Sequence, residues 1–296
     1  MNNLLVFGYS GFVGSNLSDF LKNSYTLFFY TRGSEILINH DAVINLIGKA
    51  HDLKNVSSFD EYYKVNTEIS KEIFDAFLTS KAKVFISLSS VKSVADEVKG
   101  ELTEKATPNP ITHYGKSKLL AEQYILSKSI PAGKRVYILR PCMIHGPSNK
   151  GNLNLLYNLV SKGFPWPLGK FENSRSYLSI ENLCFSVKEL IEREDVPSGV
   201  YNVADDIPLS TIEVIKMIAE SRGKKARILN LSKNLIKVLA RVGDLLKLPL
   251  NSERLQKLTE SYIVSNAKLK EALGKQLPVS SKEGLMRTFQ SFADNA

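Results

Sequence analysis

Cysteine is scarce in this chain, which has only two in 296 residues, Cys142 and Cys184. Neither belongs to a C-x-x-C pair, so the sequence contains no disulfide framework and no zinc-ligand spacing. The four histidines are scattered without the spacing of a metal site, and we expect no metal ion. Two unpaired thiols are typical of a reduced compartment and favour a cytoplasmic protein.

Long apolar runs are also lacking. No stretch approaches ~18 uninterrupted apolar residues, so we expect no membrane-spanning helix and no stable membrane insertion. The first 17 residues have no basic region and are interrupted by glycines, which argues against a signal peptide. The segment 234–246 is amphipathic and rich in Leu and Val; it fits a membrane surface, but a core-facing helix is the commoner interpretation of such a stripe.

Acidic residues are outnumbered, and the formal net charge is +9. A basic balance fits nucleic-acid binding or the attraction of an anionic small molecule. The lysines are spread along the whole chain without a basic block, so we favour a charged, solvated surface and expect no nucleic-acid partner.

Short apolar runs alternate with helical patterns in the first half of the chain. The predicted strands are 4–7, 26–30, 42–47, 84–88, 136–139 and 199–203, and the predicted helices are 12–21, 59–80, 114–127, 210–221, 232–247 and 281–292. Alternating strands and helices imply crossover units, and the strands are continuous apolar runs, as in a sheet covered on both faces. The sequence therefore predicts an α/β fold with a doubly wound parallel sheet.

Three glycines, Gly8, Gly11 and Gly14, follow the first strand and open the first helix. Glycine is needed where the backbone turns sharply and approaches a pyrophosphate, and the helix N-terminus adds free N–H groups. At the first strand–helix junction this pattern predicts a dinucleotide cofactor. The predicted contacts in this loop are Gly8, Ser10, Gly11, Phe12, Val13 and Gly14.

The end of the second strand indicates which dinucleotide binds. NAD-binding versions carry an acidic residue there for the ribose hydroxyls, whereas an arginine accommodates the 2′-phosphate of NADP. This chain has Thr31 and Arg32, and Glu35 comes too late to be the natural candidate. We therefore favour NADP(H), with NAD(H) as the alternative.

Tyr114 and Lys118 start a predicted helix four residues apart, so both side chains lie on one face. A phenol with a pKa near ~10 is a poor base at neutral pH, but a nearby ammonium favours the phenolate. Ser90 ends a buried strand, and its hydroxyl can bridge to the substrate oxygen. We call these three residues the candidate catalytic group.

Taken together, these features resemble the extended short-chain dehydrogenase/reductase family, also called the NAD-dependent epimerase/dehydratase family. The residues that carry the resemblance are the three glycines, Leu46, Ile47 and Gly48 at the end of the third-strand segment, Asn66 on the long helix, the candidate catalytic group, Pro141 in Leu139-Arg140-Pro141, and Arg175 in Arg175-Ser176-Tyr177. The resemblance implies that Leu46 to Gly48, Asn66, Tyr114, Lys118 and Pro141 line the cofactor. It also implies that Arg175 holds a nucleotide diphosphate, which fits the bidentate geometry of guanidinium and phosphate.

The resemblance further implies a Rossmann-type fold with a smaller, discontinuous substrate-binding domain. On this basis we assign residues 1–148 and 176–204 to the NAD(P)-binding domain, and residues 149–175 and 205–296 to the sugar-nucleotide-binding domain. The expected small-molecule partner is a UDP-sugar, and a homodimer is left open as the assembly.

Val91 and Lys92 follow Ser90, where related dehydratases carry an Asp-Glu pair that moves protons during water loss. The stretch Ser89 to Lys92, with Asn152 and the loop from Pro165 to Gly169, looks most like bacterial enzymes that reduce a UDP-4-keto-6-deoxy-N-acetylhexosamine for surface polysaccharides. The predicted substrate contacts are Lys92, Asn152 and Arg175. The first alternative is a UDP-hexose 4-epimerase acting on UDP-glucose or UDP-GlcNAc. The second alternative is an NADP-binding sensor or interaction protein, but such proteins typically lack the Tyr or the Lys.

Overall fold

A computed structural model describes residues 1–49, 58–149, 151–246 and 251–294. The strands are β1 (Asn3–Phe7), β2 (Thr26–Phe29), β3 (Ala42–Asn45), β4 (Val84–Leu88), β5 (Glu101–Leu102), β6 (Arg135–Pro141), β7 (Met143–His145), β8 (Tyr177–Ser179), β9 (Gly199–Val203) and β10 (Ile263–Val264). The helices are α1 (Phe12–Leu21), α2 (Phe59–Tyr63), α3 (Ile69–Thr79), α4 (His113–Leu126), α5 (Asn152–Ser161), α6 (Ile180–Glu192), α7 (Thr211–Ser221), α8 (Lys233–Leu246), α9 (Ser252–Thr259), α10 (Ala267–Leu273) and α11 (Ser281–Asp294).

Six of the strands form the central sheet in the order β2-β1-β3-β4-β6-β9, and all of their pairings are parallel. The chain runs from β1 to β2 on one side and then returns to β3 on the other side of β1. The carboxyl ends of β1 and β3 therefore flank a crevice where the strand order reverses, which is where open α/β sheets bind ligands. The predicted doubly wound α/β fold is confirmed.

The apolar runs of the strands pack both faces of this sheet. One cluster places Leu4, Val6 and Ile44 against α1 and α6, and another places Leu5, Val43 and Phe85 against α3 and α4. Such continuous runs are expected when helices cover both faces.

A third cluster lies apart from the sheet and unites α5, α7, α8 and α11. The C-terminal third nevertheless contributes to the sheet's own core, because Tyr262, Val264, Leu269 and Leu273 pack there and β10 pairs with β5. The division of the chain into two domains stays a prediction.

The long helix predicted over 59–80 contains one wide turn. Residues Lys64–Glu68 form a π-helical segment between α2 and α3, and Ser58 caps α2 by accepting a hydrogen bond from the Glu61 N–H. A π turn inserts one extra residue into a helix and often marks a functional position. Here the turn carries Asn66, which is fully buried.

Helix α8 departs from the core-facing helix that the sequence pattern predicts. It buries only Ile236, Ala240 and Gly243. Its other apolar side chains stay exposed, namely Leu235, Val238, Leu239, Val242, Leu245 and Leu246. The prediction that this stripe faces the core is therefore wrong for most of the stripe. In the described ranges, no helix has both the length and the hydropathy needed to cross a bilayer.

Candidate active site

The glycine loop lies at the crevice between β1 and β3. Gly8 has a φ of +80°, and a Cβ atom there would come within 2.9 Å of the Ile47 nitrogen. A Cβ atom on Gly14 would lie 2.3 Å from the Gly8 carbonyl oxygen, because α1 packs directly on the loop. These two positions accept only glycine without a shift of the backbone.

The first turn of α1 presents its N–H groups to this crevice. Gly11 is the N-cap and supplies no side-chain hydrogen bond, and the first turn has no acidic residue. Ser10 and Gly11 are exposed, while Phe12 and Val13 are half-buried. An uncapped N-terminus beside close-packed glycines fits the pyrophosphate of a dinucleotide.

Asn66 joins the loop after β3 to helix α4. Its Oδ1 accepts a hydrogen bond from the Lys49 N–H at 2.7 Å, and its Nδ2 donates to Ser117 Oγ at 2.9 Å. The same loop packs on the catalytic lysine candidate, since a Cβ atom on Gly48 would lie 2.8 Å from Lys118 Nζ. The structure thus brings the loop after β3, Asn66 and Lys118 to one place.

The candidate catalytic group is assembled from β4 and α4. The Ser90 hydroxyl donates a hydrogen bond to the Tyr114 phenol and accepts one from the Lys92 N–H at 3.2 Å. Lys118 Nζ donates to the Leu88 carbonyl at 2.9 Å and lies 3.4 Å from the Ile47 carbonyl. Serine, phenol and ammonium therefore meet at the carboxyl ends of the strands.

Burial sets the protonation of this group. Loss of water around Tyr114 raises the pKa of its phenol, and the hydrogen bond from Ser90 opposes that rise. Burial lowers the pKa of Lys118 to about 8, partly countered by the carboxylate of Glu122 one helical turn away. The phenol is thus kept protonated as a proton donor, with a cation on the same helix face.

A buried network of charged and hydroxyl side chains contacts the backbone of Ser90. Glu122 accepts hydrogen bonds from Ser93 Oγ at 2.7 Å, from Ser89 Oγ, and from Arg140 Nη2 at 2.5 Å. Ser93 Oγ also lies 2.7 Å from the Ser90 carbonyl oxygen, so its single proton is shared between this carbonyl and the Glu122 carboxylate. The sequence interpretation missed this network, although a charge inside an apolar strand, as at Arg140, is a signal for a buried partner.

The predicted substrate contacts Lys92 and Arg175 meet beside Tyr262. Lys92 Nζ lies 4.3 Å from the centre of the Tyr262 ring, and an Arg175 Nη lies 3.9 Å from Glu260. Arg175 Nη1 also donates to the Lys257 carbonyl at 2.5 Å. We call Lys92, Arg175, Glu260 and Tyr262 the substrate wall; its last two members carried no sequence signal.

The charges of this wall influence one another. Burial lowers the pKa of Lys92, the carboxylates of Asp96 and Glu260 act against that effect, and the cation of Arg175 adds to it. Lys92 Nζ donates to the Asp96 carbonyl at 2.8 Å. Two half-buried cations, Lys92 and Arg175, fit an anionic group such as a diphosphate.

The remaining predicted residues lie at the edges of this site. Thr31 and Arg32 are exposed beyond β2, and the rings of Tyr9 and Phe29 pack 4.6 Å apart nearby. Pro141 ends β6, paired with Val203. Asn152 opens α5, but its side chain lies outside the described residues.

A separate cavity of about 580 Å³ lies between α5 and α7. Its basic lining residues are Lys162, Lys224, Lys225 and Arg227. No predicted site residue lines it, so we place the chemistry at the sheet crevice.

Comparison with known sequences relates this site to a family. The sequence model of the NAD dependent epimerase/dehydratase family matches residues 4–204. The chain is 28% identical over 322 residues to a UDP-glucose 4-epimerase of Vibrio cholerae, covering 98% of this chain and 95% of that protein. It is 27% identical over 317 residues to the N-acetyl-alpha-D-glucosaminyl-diphospho-ditrans,octacis-undecaprenol 4-epimerase of Escherichia coli O157:H7, with the same coverage.

Solved structures share the whole fold. MoeE5, in a complex with UDP-glucuronic acid and NAD, superposes with a TM-score of 0.78 at 20% identity, covering 100% of both chains. RMD from Pseudomonas aeruginosa, in a complex with NADPH, superposes with a TM-score of 0.75 at 20% identity, also covering 100% of both. At this level of identity the likeness concerns the fold.

Proposed function

The chain belongs to the NAD dependent epimerase/dehydratase family, and we propose that within this family of nicotinamide-dependent sugar-nucleotide enzymes it is a reductase. Its proposed substrate is a UDP-4-keto-6-deoxy-N-acetylhexosamine, reduced at C4. The observation that carries this proposal is the group of buried Ser90, half-buried Tyr114 and buried Lys118, combined with Arg32 beyond β2.

The chain's own residues account for the proton transfer. In the proposed reaction Tyr114 donates its phenolic proton to the O4 oxygen as the C4 carbonyl becomes an alcohol, and Ser90 holds that oxygen by a hydrogen bond. Lys118 stabilises the resulting phenolate electrostatically from the same helix face. A bound nicotinamide cofactor supplies the hydride.

The glycine loop and Asn66 segment support cofactor binding, since a Cβ atom on Gly8 or Gly14 would clash with neighbouring backbone. The proposed contacts are Gly8 to Gly14, Leu46 to Gly48, Asn66, Tyr114, Lys118 and Pro141. Arg32 is exposed where a 2′-phosphate is expected, which supports NADP(H) over NAD(H).

Lys92 and Arg175 are the proposed contacts for the nucleotide diphosphate, and Asn152 for the sugar. Val91 and Lys92 start a 3₁₀ turn directly after Ser90, and neither supplies a carboxyl group. This supports a redox reaction at C4 without loss of water.

A direct assay tests the reductase. We expect stoichiometric oxidation of NADPH when the purified protein meets a UDP-4-keto-6-deoxy-N-acetylhexosamine, and no oxidation with the 4-hydroxy product. The assay is repeated with dTDP-linked sugars to test the nucleotide. Absence of NADPH oxidation with every 4-keto sugar would overturn the proposal.

The second candidate is a 4-epimerase, which is favoured by the two 4-epimerase relatives that match 98% of this chain. An epimerase needs the same three catalytic side chains plus room for the keto sugar to rotate. It would interconvert two UDP-hexoses without added cofactor and would purify with NAD bound. One of these relatives acts on a sugar carried by undecaprenyl diphosphate, so lipid-linked sugars belong in the substrate panel.

A further inference from the structure

Helix α8 has two distinct exposed faces. Leu235, Val238, Leu239, Val242 and Leu245 recur at spacings of three and four residues, so they form one apolar stripe along the helix. The stripe is open to solvent; Leu245 is 83% exposed and Val238 is 54% exposed. A contiguous row of exposed apolar side chains on a protein surface marks an interaction site.

Two cations flank this stripe. Lys237 and Arg241 are four residues apart and exposed, so their side chains lie along one side of the stripe. Lys233 lies further round the helix, with its Nζ 5.8 Å from the centre of the Phe171 ring. The helix carries one acidic residue, Asp244, whose carboxylate accepts hydrogen bonds from the Ser252 N–H at 2.9 Å and the Ser252 hydroxyl at 2.6 Å. The exposed charge along the helix is therefore positive.

The buried face of α8 fixes its orientation. Ile236 and Ala240 are each 1% exposed and pack in the cluster with α7 and α11. The apolar stripe thus lies outside the buried face, and Lys237 and Arg241 lie between the two faces on one side of the helix. An apolar stripe with basic residues at its edge is the pattern of a helix that lies in a membrane interface.

We infer that α8 docks the enzyme on the surface of an anionic lipid membrane, with the stripe in the acyl-chain boundary and Lys237 and Arg241 on lipid phosphates. Charge complementarity favours this partner over a second copy of the chain. Two copies joined through the stripe would bring their cationic edges together, whereas anionic headgroups neutralise them.

The docked face is mechanically joined to the substrate wall. Asp244 ties the end of α8 to the start of α9, and the Lys257 carbonyl near the end of α9 accepts a hydrogen bond from Arg175. Helix α8 is thus linked through α9 to Arg175, one of the proposed diphosphate contacts. This inference does not depend on the reaction at C4, because it concerns a surface outside the candidate catalytic group.

Vesicle co-sedimentation of the full chain, without cofactor or substrate, tests the inference. We expect binding to vesicles of phosphatidylcholine mixed with phosphatidylglycerol and little binding to phosphatidylcholine alone. A double variant, Leu239→Gln with Leu245→Gln, should reduce the partition coefficient about tenfold or more. Lys237→Gln with Arg241→Gln should reduce it about tenfold and remove the preference for the anionic lipid.

A matched control removes two exposed apolar side chains elsewhere. Leu126 and Ile207 are 57% and 60% exposed, and Leu126→Gln with Ile207→Gln should bind vesicles like the wild type. All variants should retain the wild-type thermal midpoint and the rate with water-soluble UDP-sugars, so a failed reductase assay would not affect the vesicle result. Equal binding of the wild type and the stripe variant overturns the inference. So does a wild-type dimer that the stripe variant dissociates and that does not bind vesicles.

Discussion

The candidate catalytic group and the substrate wall are built in different ways. Ser90, Tyr114 and Lys118 come from one strand end and one helix, and Lys118 is held by backbone carbonyls of two neighbouring strand ends. The substrate wall combines Lys92 with Arg175 and Tyr262. The last two residues are distant in sequence and pair with each other through an isolated β-bridge. The first is a rigid local unit, whereas the second depends on how α9 and the C-terminal third close over the sheet.

Turnover should depend more strongly on single atoms of the candidate catalytic group than on single atoms of the substrate wall. Tyr114→Phe removes the proposed proton donor but keeps the ring, so it should lower turnover about 10²-fold or more with little change in cofactor affinity. Steady-state kinetics and a cofactor titration measure both quantities.

Tyr124→Phe is the matched control, because it removes a phenolic hydroxyl from the same helix. The Tyr124 hydroxyl donates a hydrogen bond to Asp75 and lies outside the candidate catalytic group. We expect near wild-type turnover for this variant. Turnover of Tyr114→Phe within a few-fold of the wild type would remove Tyr114 from the mechanism.

The buried ammonium of Lys118 should cost stability in a pH-dependent way. Its pKa is lowered to about 8 in the fold from 10.5 in the unfolded chain, so the unfolded state binds more protons between these values. The unfolding free energy of the wild type relative to Lys118→Met should therefore increase with pH, by about 2 kcal/mol from pH ~7 to ~9.5.

Urea denaturation at several pH values measures this difference. Lys116→Met, an exposed position on the same helix, serves as the control and should give a difference that does not change with pH. If the difference in unfolding free energy between the wild type and Lys118→Met also does not change with pH, then burial does not lower the pKa of Lys118.

The substrate wall should show its effect in binding. Arg175→Ala should raise the KM for the nucleotide sugar about twentyfold with little change in kcat, because a diphosphate contact acts equally in the ground and transition states. Initial rates over a range of substrate concentration separate the two parameters.

Arg175→Lys keeps the charge and loses the fork of the guanidinium, so we expect an intermediate KM. An unchanged KM for Arg175→Ala with every nucleotide sugar would place this residue outside the substrate wall.

The smallest effect is expected at the exposed edge of the cofactor site. Arg32→Asp should shift the preference from NADPH toward NADH about fivefold to tenfold, since a solvent-exposed ion pair is weak. Arg222→Asp changes an exposed arginine at the end of α7 and should leave the preference unchanged. Equal NADPH affinity of Arg32→Asp and the wild type would contradict the proposed cofactor contact.

The sequence predicts best what is local. The strands β1, β4 and β9 and helix α1 agree with their apolar patterns to within one residue, and Tyr114 and Lys118 share one helix face. Helix α6 is absent from the predicted helices, although Ile180, Leu183, Val187 and Ile191 recur at helical spacing and are buried. This apolar pattern was sufficient to predict the helix. The polar partners on the same face, such as Asn182 bonded to Asp205, could not be predicted from it.

Pairings between distant segments could not be predicted. β5 with β10 and β7 with β8 are strands of two or three residues, too short to carry a pattern of their own. Tyr262 and Glu260 reach the site only through such pairings. The stripe of α8 was interpreted as core because a helical pattern shows which residues share a face but not what covers that face.

The wide turn at Lys64–Glu68 has a consequence for reading related sequences. One extra residue in the turn shifts the phase of every later position by about 100° relative to a regular helical wheel. A helical wheel drawn with a constant angle per residue through 59–79 therefore assigns either Tyr62 or the phenylalanines of α3 to the wrong face of the helix. A relative that lacks one residue in this stretch has lost the bulge that aims Asn66 at Ser117, and should be aligned with a gap there, since the rest of the helix stays in place.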